Sequence, residues 1–181
     1  MHFTRTHIIG IVIFVCILLV CGVVTYALIG QNSPFSGLHN DLKNIEPPES
    51  VPYTDLDGNI VTLNTYKGKP LVINSWATWM PFSKDELVLL NNVKKQKGDD
   101  VQIIAINRME DRELIKSYIN IFGLEQDIVF LVDQSDNFYK AVGGFAMPET
   151  IFYKKDGTIT VHKRGVLTKE ELEQNIENIL K

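Results

Sequence analysis

The stretch NSWATWMPFS, from Asn74 to Ser83, decides how this chain folds. It starts inside Pro70–Trp76, an apolar run typical of a strand that is buried on both faces. It then opens a predicted helix at Pro81, because proline is favoured at the first helical position. The helix is expected to run to about Lys97, with Leu87, Leu90 and Val93 on one side. A buried strand that passes into a helix through so short a loop indicates an α/β domain.

Strands and helices also alternate outward from this stretch, as an α/β sandwich requires. The predicted strands are Val51–Asp55, Asn59–Leu63, Val101–Asn107, Ile128–Val132, Glu149–Lys155 and Thr158–Arg164. The turns Asp57-Gly58 and Asp156-Gly157 predict hairpins. A helix is predicted over Asp111–Phe122, because Leu114, Ile115, Tyr118, Ile119 and Phe122 share a face and Gly123 can end it. A short helix is predicted over Asn137–Val142. A last helix is predicted to begin with the capping box Thr168/Glu171 and to bury the stripe Leu172, Ile176, Ile179 and Leu180.

Length and composition restrict the class of protein. The chain has 181 residues, of which 45% are hydrophobic and 22% charged, so a disordered chain and a small disulfide scaffold are excluded. Arg5 is the one charged residue among the first 30, so residues 31–181 hold 17 basic against 22 acidic side chains. An acidic domain without a basic stripe is a poor match for nucleic acid.

The amino-terminal region predicts a membrane anchor. Residues 8–29, IIGIVIFVCILLVCGVVTYALI, form 22 residues without a charge, long enough to span a bilayer as a helix. A cleaved signal peptide is the alternative, but its apolar core would be shorter. Arg5 before the span predicts that residues 1–7 are cytoplasmic and that the rest lies outside. We therefore expect a single-pass protein of the cell membrane.

Residues 30–50, rich in Asn, Ser, Gly and Pro, are predicted to form a flexible linker. As a random coil it would reach about 25 Å. The domain itself is expected to comprise residues 51–181. Its sequence holds no thiol, because the two cysteines, Cys16 and Cys21, both lie in the predicted span. The domain therefore has no disulfide, no thiolate nucleophile and no cysteine metal ligand.

The stretch around Trp76 resembles the membrane-anchored thioredoxin-like proteins of the TlpA/ResA and CcmG (DsbE) type. In that family a strand leads into Trp-Ala-x-Trp-Cys-x-x-Cys, with a Glu three residues past the second Cys. Matching positions here are Trp76, Ala77, Trp79, Pro81 and Glu86. The resemblance covers about residues 51–181. It implies a thioredoxin-like sandwich, in which a central mixed sheet has helices on both faces and an N-terminal β-hairpin extension.

Further motifs agree with the family in order. The family's segment before the first core strand is similar to Leu56-Asp57-Gly58 and Tyr66-Lys67-Gly68-Lys69-Pro70 here. Its closing hairpin and helix are similar to the segment from Asp156-Gly157 through Thr168. Met147-Pro148-Glu149-Thr150 is similar to its cis-proline loop, so Pro148 is expected to be cis. Asn74 stands where thioredoxins often bury an Asp that handles protons; a satisfied buried amide explains it equally well.

The chain departs from the family at the two positions that carry the chemistry. Met80 stands at the first cysteine and Ser83 at the second. The family reaction needs a thiolate that attacks a disulfide and a second thiol that resolves the intermediate. A thioether and a hydroxyl do neither, so no catalytic residue is predicted.

The resemblance implies a peptide-binding groove beside the cis-proline. Its predicted binding residues are Trp79, Pro81, Phe82, Met147, Pro148 and Glu149. Trp76 is expected in the core, and Trp79 either in the core or at the rim of the site.

Met80 and Met147 are expected to be neighbours. They either fill the former site with apolar groups or form a thioether pair for Cu(I). His39 and His162 are expected to face solvent, and no metal or cofactor is predicted.

Three functions are compatible with these residues. The first is a redox-inactive, membrane-tethered domain that binds a protein or peptide. The second is a thiol-disulfide oxidoreductase by family, acting in cytochrome c maturation or disulfide reduction. The third is a metal-handling or structural subunit of a membrane assembly.

Overall fold

The structure, a computed structural model, describes residues 49–124 and 127–181. The predicted span 8–29 and the linker up to residue 48 lie outside the described residues. No helix in the described ranges is long and apolar enough to cross a membrane. The folded domain already includes Glu49, because its carbonyl oxygen accepts a hydrogen bond from Asn64 N at 3.1 Å.

Seven strands and four α-helices alternate along the described chain. The strands are β1 (Tyr53–Asp55), β2 (Ile60–Val61), β3 (Leu71–Trp76), β4 (Gln102–Arg108), β5 (Val129–Asp133), β6 (Glu149–Tyr153) and β7 (Ile159–Arg164). The helices are α1 (Ser83–Lys97), α2 (Arg112–Phe122), α3 (Asn137–Ala141) and α4 (Lys169–Leu180). Short 3₁₀ turns cover Leu63–Tyr66 and Gly98–Asp100.

The strands form one mixed sheet in the order β2-β1-β5-β4-β3-β6-β7. The central strands β3, β4 and β5 are parallel, whereas β6 and β7 and the β1–β2 hairpin are antiparallel to their neighbours. All six residues of β3 are buried, as its apolar pattern predicts. The predicted mixed sheet and amino-terminal hairpin are therefore confirmed.

Each face of the sheet has its own core, because successive side chains on a strand point to opposite sides. On the helix-rich face, α1, α2 and α4 cover Val72, Trp76, Ile103, Ala105, Phe130 and Phe152. On the opposite face, α3 and the segment 51–66 cover Leu71, Ile73, Ile104, Ile106, Leu131 and Ile151.

Local sequence signals place the turns and helix ends as predicted. Gly58 and Gly157 adopt φ of +94° and +86°, the left-handed backbone that their hairpin turns require. Gly123 ends α2 in the left-handed conformation. The capping box at the start of α4 is complete, since Thr168 and Glu171 bond each other's backbone N–H.

Predictions for three helices need correction. Helix α1 begins at Ser83 rather than Pro81, because Met80 O accepts from Ser83 N and a turn over residues 80–83 precedes the helix. On α2, Ile115 and Ile119 point into the core. Leu114 and Phe122 are exposed at the margins of the same stripe, and Leu180 of α4 is exposed in the same way.

Candidate functional site

The first loop of the candidate site follows β3. Trp76 ends the strand fully buried, as expected for a core residue, whereas Trp79 is 64% exposed. Between the two, Met80 N donates to Ala77 O at 3.2 Å. This bond turns the chain back toward α1, so Trp79 lies on the outside of the turn at the rim of the site.

Met80 and Ser83 occupy different environments in this loop. Met80 is half-buried, with its neighbours Pro81 and Phe82 exposed. Ser83 is buried at the start of α1, and its Oγ accepts a hydrogen bond from Ala77 N at 3.5 Å. The hydroxyl thus helps to hold the loop, and neither position carries a group that exchanges disulfides.

A second loop, after β4, is tied to the first. Glu110 accepts hydrogen bonds from Thr78 N at 2.7 Å and from Asn107 Nδ2 at 2.6 Å, and Thr78 Oγ1 also donates to it. These contacts fix the segment before Met80. The sequence prediction missed Glu110, although the ends of the parallel strands β3 and β4 meet at one edge of the sheet.

The same loop presents Met109 to solvent. Its backbone has φ of +57°, a conformation that non-glycine residues rarely adopt. Met109 N donates to Asp133 O at 3.0 Å, which holds the residue in place. The side chain is 61% exposed. Residues held in such sparsely populated conformations cluster at binding and catalytic sites.

The third loop precedes β6 and contains the predicted cis bond between Met147 and Pro148, which is confirmed. Pro148 is buried and Met147 half-buried. The backbone N–H and C=O of Met147 make no hydrogen bond to any residue in 49–124 or 127–181. They are therefore free to pair with an extended chain.

Glu149 is buried and holds this loop from beneath. Its Oε1 accepts from Phe145 N at 2.6 Å and from Ala146 N at 3.0 Å. Its Oε2 lies 3.0 Å from His162 Nε2. The prediction that His162 faces solvent is wrong, because pairing of β6 with β7 places it against this carboxylate. Glu149 positions the loop and does not present its carboxylate to solvent.

Arg108 extends from the end of β4 to the same loop. Its guanidinium pairs with Asp136, lies 3.4 Å from the centre of the Tyr139 ring, and contacts Met147 Sδ. Within the described residues, no three His, Cys, Asp or Glu side chains are grouped to hold a metal ion.

Beneath Ser83, a buried polar chain crosses the helix-rich face. Asn74 Nδ2 donates to Thr150 Oγ1 at 3.0 Å, and Thr150 Oγ1 donates to Glu86 Oε1 at 3.0 Å. Burial raises the pKa of Glu86 to about 7, despite the opposing effects of the Thr150 hydrogen bond and Lys163. Glu86 Oε2 has no hydrogen-bond partner in the part of the chain that the structure describes.

The sheet register brings these three loops to one end of the molecule. Trp76 pairs with Asn107, and Ser75 pairs with Glu149, so the residues beyond each strand end meet at this edge. The predicted binding residues on these loops are Trp79, Pro81 and Phe82 in the first loop, beside Met80, and Met147, Pro148 and Glu149 in the third. We call this region the carboxyl end of β3.

Comparison with known proteins supports this architecture. The redoxin family model matches residues 23–180. The thiol-disulfide oxidoreductase ResA of Bacillus thuringiensis is 27% identical over 169 residues, covering 91% of this chain and 93% of its own length. ResA of Geobacillus kaustophilus is 31% identical over 129 residues, covering 70% of this chain and 72% of its own length.

A solved structure shows the same fold. A secreted disulfide oxidoreductase of Mycobacterium tuberculosis, homologous to E. coli DsbE, superposes with a TM-score of 0.65 at 21% identity. The match covers 74% of this chain and 98% of that one. Fold, motif order and sequence similarity agree, and the chain therefore belongs to the redoxin family, in the thioredoxin-like group of the TlpA, ResA and CcmG proteins.

Proposed function

We propose that this protein is a redox-inactive member of its family that binds a protein or peptide at the carboxyl end of β3. The observation that carries the proposal is a set of large apolar side chains exposed on the three loops. They are Trp79, Phe82, Met109 and Phe145, with exposed fractions of 64%, 52%, 61% and 86%. Large apolar side chains exposed together on neighbouring loops are typical of interaction sites.

The unpaired backbone groups of Met147 favour an extended partner segment. A chain lying along this loop would gain main-chain hydrogen bonds, while the exposed aromatic residues contact its side chains. Contacts from Glu149 and Arg108 hold the loop in place within the fold. A loop that is already held in place loses little conformational entropy when a partner binds.

Loss of redox activity follows from the missing thiols. The relatives named above are thiol-disulfide oxidoreductases, and that reaction requires a thiolate at each of two steps. In this chain the only cysteines are Cys16 and Cys21, far from the domain in sequence. Met80 and Ser83 occupy the positions at which the motif has cysteines.

The tether is part of the proposal. The uncharged segment 8–29 would anchor the chain, and Arg5 would keep its start in the cytoplasm. The domain would then act outside the membrane. Protease added to intact cells should cut between residues 30 and 48 and release the domain. Cleavage only after the membrane is permeabilised would contradict this orientation.

Redox inactivity is tested with the full chain in an insulin-reduction assay. We expect turbidity no faster than in a control without protein, with a ResA relative as the positive control. Reduction of insulin by the unaltered chain would overturn this part of the proposal, since no thiol in the domain accounts for it.

Partner binding is tested by photocrosslinking from two exposed positions. A photoreactive amino acid replaces Phe82 in one variant and Ile159 in the other, because their exposed fractions are 52% and 53%. We expect a discrete crosslinked species in native membranes from position 82 only. Equal crosslinking from both positions, or none from position 82, would contradict a site on these loops.

A further inference from the structure

At the amino end of β3 lies a second candidate site, a partly open apolar cavity of about 80 Å³. Its apolar walls come from Leu63, Tyr66, Leu71, Ile73 and Tyr153. Leu71 and Trp76 are at opposite ends of this strand, about 17 Å apart at the rise of a β-strand. The cavity is therefore separate from the loops at the carboxyl end.

Four lysines line this cavity together with its apolar walls. Lys67 and Lys69 belong to the turn before β3, and Lys154 and Lys155 to the turn between β6 and β7. The two turns meet because β3 and β6 are antiparallel and Leu71 pairs with Tyr153. The sheet register thus concentrates positive charge at one point of an acidic domain.

None of the four lysines makes an ion pair within residues 49–124 and 127–181. Seven other lysines there do: Lys84, Lys94, Lys95, Lys97, Lys116, Lys163 and Lys169. Glu49 is the one carboxylate in the lining, so cationic groups outnumber it. The lining of the cavity therefore carries a net positive charge.

Two phenols add hydrogen-bond donors to the cavity. The hydroxyls of Tyr66 and Tyr153 have no hydrogen-bond partner among the residues described. A tyrosine hydroxyl keeps its proton at neutral pH, and burial raises the pKa of both phenols further. A neutral phenol donates to an anion, whereas a phenolate would repel it.

We propose that this cavity binds an anionic amphiphile, with a phosphate or carboxylate head among the four lysines and a short apolar segment against Leu63, Leu71 and Ile73. Ammonium groups and phenol hydroxyls are donors suited to such a head. The apolar walls exclude a hydrated ion as the best ligand and favour one that carries hydrocarbon. The head belongs either to a lipid of the bilayer or to a free molecule, and the experiment distinguishes these sources.

The experiment uses the full chain in phosphatidylcholine nanodiscs, with isotope-labelled methyl groups observed by NMR. The added ligands are hexyl phosphate, inorganic phosphate and hexanol. We expect hexyl phosphate to shift the methyls of Leu63, Leu71 and Ile73 and to bind about tenfold more tightly than either of the other two. Methyls of Ile119 and Leu172, in the core of the helix-rich face, should not move.

A second experiment distinguishes the two sources of the ligand. The methyl signals are recorded with phosphatidylglycerol in the nanodiscs and no added ligand. Shifts of the same methyls there identify a bilayer lipid, whereas shifts only with hexyl phosphate identify a free amphiphile. Either result supports the site. Equal binding of inorganic phosphate or of hexanol would overturn it, as would the absence of shifts in both arms.

The lysines are tested by replacement with glutamine at positions 67, 69, 154 and 155. We expect this variant to lose about tenfold or more in affinity for hexyl phosphate. A control variant with the same net charge replaces Lys84, Lys95, Lys116 and Lys169 and should bind normally. If the fourfold variant does not fold, the pairs Lys67→Gln/Lys69→Gln and Lys154→Gln/Lys155→Gln test the two turns separately. Unchanged affinity in folded variants would contradict the proposal.

Discussion

The two ends of β3 differ in which side chains are paired or buried within the fold and which are left exposed or unpaired. At the carboxyl end, charged side chains pair within the fold, as Arg108 does with Asp136, while large apolar side chains such as Trp79 face solvent. At the amino end, the apolar side chains are turned inward around a cavity, and lysines are left without partners. The first surface suits an apolar partner, and the second suits an anionic one.

The carboxyl end is also where this chain departs from the family motif, with Met80 and Ser83 at the two cysteine positions. The carboxyl end retains the loop geometry, the buried chain from Asn74 to Glu86 and the exposed Trp79. The sulfur groups alone are missing from the motif. Changes at the carboxyl end should therefore alter activity and stability strongly, whereas changes at the amino end should have little effect on either.

Restoring the thiols should give the largest effect. Met80→Cys with Ser83→Cys places two thiols before and at the start of α1, where free backbone N–H groups favour a thiolate. We expect insulin reduction to rise from background to a measurable rate, and the first thiol to titrate below about 8.5. The insulin-reduction rate and a pH titration of the first thiol measure these two effects.

The single variants serve as controls for the restored pair. Ser83→Cys alone lacks the attacking thiol and should remain inactive. Met80→Cys alone should accumulate mixed disulfides, because nothing resolves them. A folded double variant with an ordinary thiol pKa and no activity would show that the loop geometry has also diverged.

Breaking the internal charge pairing should cost the most stability. Arg108→Met leaves the carboxylate of Asp136 buried without its partner, which we expect to lower the free energy of unfolding by about 3 kcal/mol. Urea unfolding followed by fluorescence of the buried Trp76 measures it. Adding Asp136→Asn should recover most of the loss.

An exposed pair supplies the matched control. Lys84→Met removes the partner of Asp85 at the surface, where an ion pair contributes under about 1 kcal/mol. Equal losses in the two variants would argue against a special role for pairing at the carboxyl end.

The buried Glu86 should make stability depend on pH. Its folded-state pKa is raised from 4.5 to about 7, so the neutral carboxyl is the form that the fold favours. That stabilisation is complete below pH 4.5 and is lost as the pH rises through about 7. Glu86→Gln keeps a neutral side chain, so at pH 8 it should be more stable than the unaltered protein by up to about 3 kcal/mol.

Unfolding at pH 4 and pH 8 tests this difference. The two proteins should have similar stability at pH 4 and diverge as the pH rises. Glu113→Gln, on the exposed side of α2, is the control and should show no such divergence. A gap that does not change with pH would mean that Glu86 ionises normally.

The smallest effect is expected at the amino end. Lys154→Gln with Lys155→Gln should change the free energy of unfolding by less than about 0.5 kcal/mol, because neither lysine makes an ion pair in the described structure. Thermal unfolding without added amphiphile measures it. A large loss would mean that these charges support the fold rather than a ligand.

Sequence patterns predicted the architecture well, since the decisive signals are local. The run before Trp76, the capping box at Thr168 and the turn at Gly157 each act within a few residues. Met147-Pro148 was predicted from the family motif. The ends of helices are predicted less well, since α1 begins at Ser83 and not at the predicted Pro81.

Contacts distant in sequence could not be predicted in the same way. Glu110 bonds Thr78 across 32 positions, and Arg108 reaches Met147 across 39. The sequence around His162 predicts a solvent-facing residue, whereas the pairing of β6 with β7 places it beside Glu149. The lysine-lined cavity likewise exists only because Leu71 pairs with Tyr153.

The order of strands has a further consequence, for self-association. The outer strands of the sheet are β2, which is two residues long, and β7, which ends in His162, Lys163 and Arg164. A strand of two residues is a poor template for pairing, and charged side chains on an outer strand disfavour edge-to-edge contact with another strand. Neither edge of the described sheet therefore favours pairing with a strand of a second molecule.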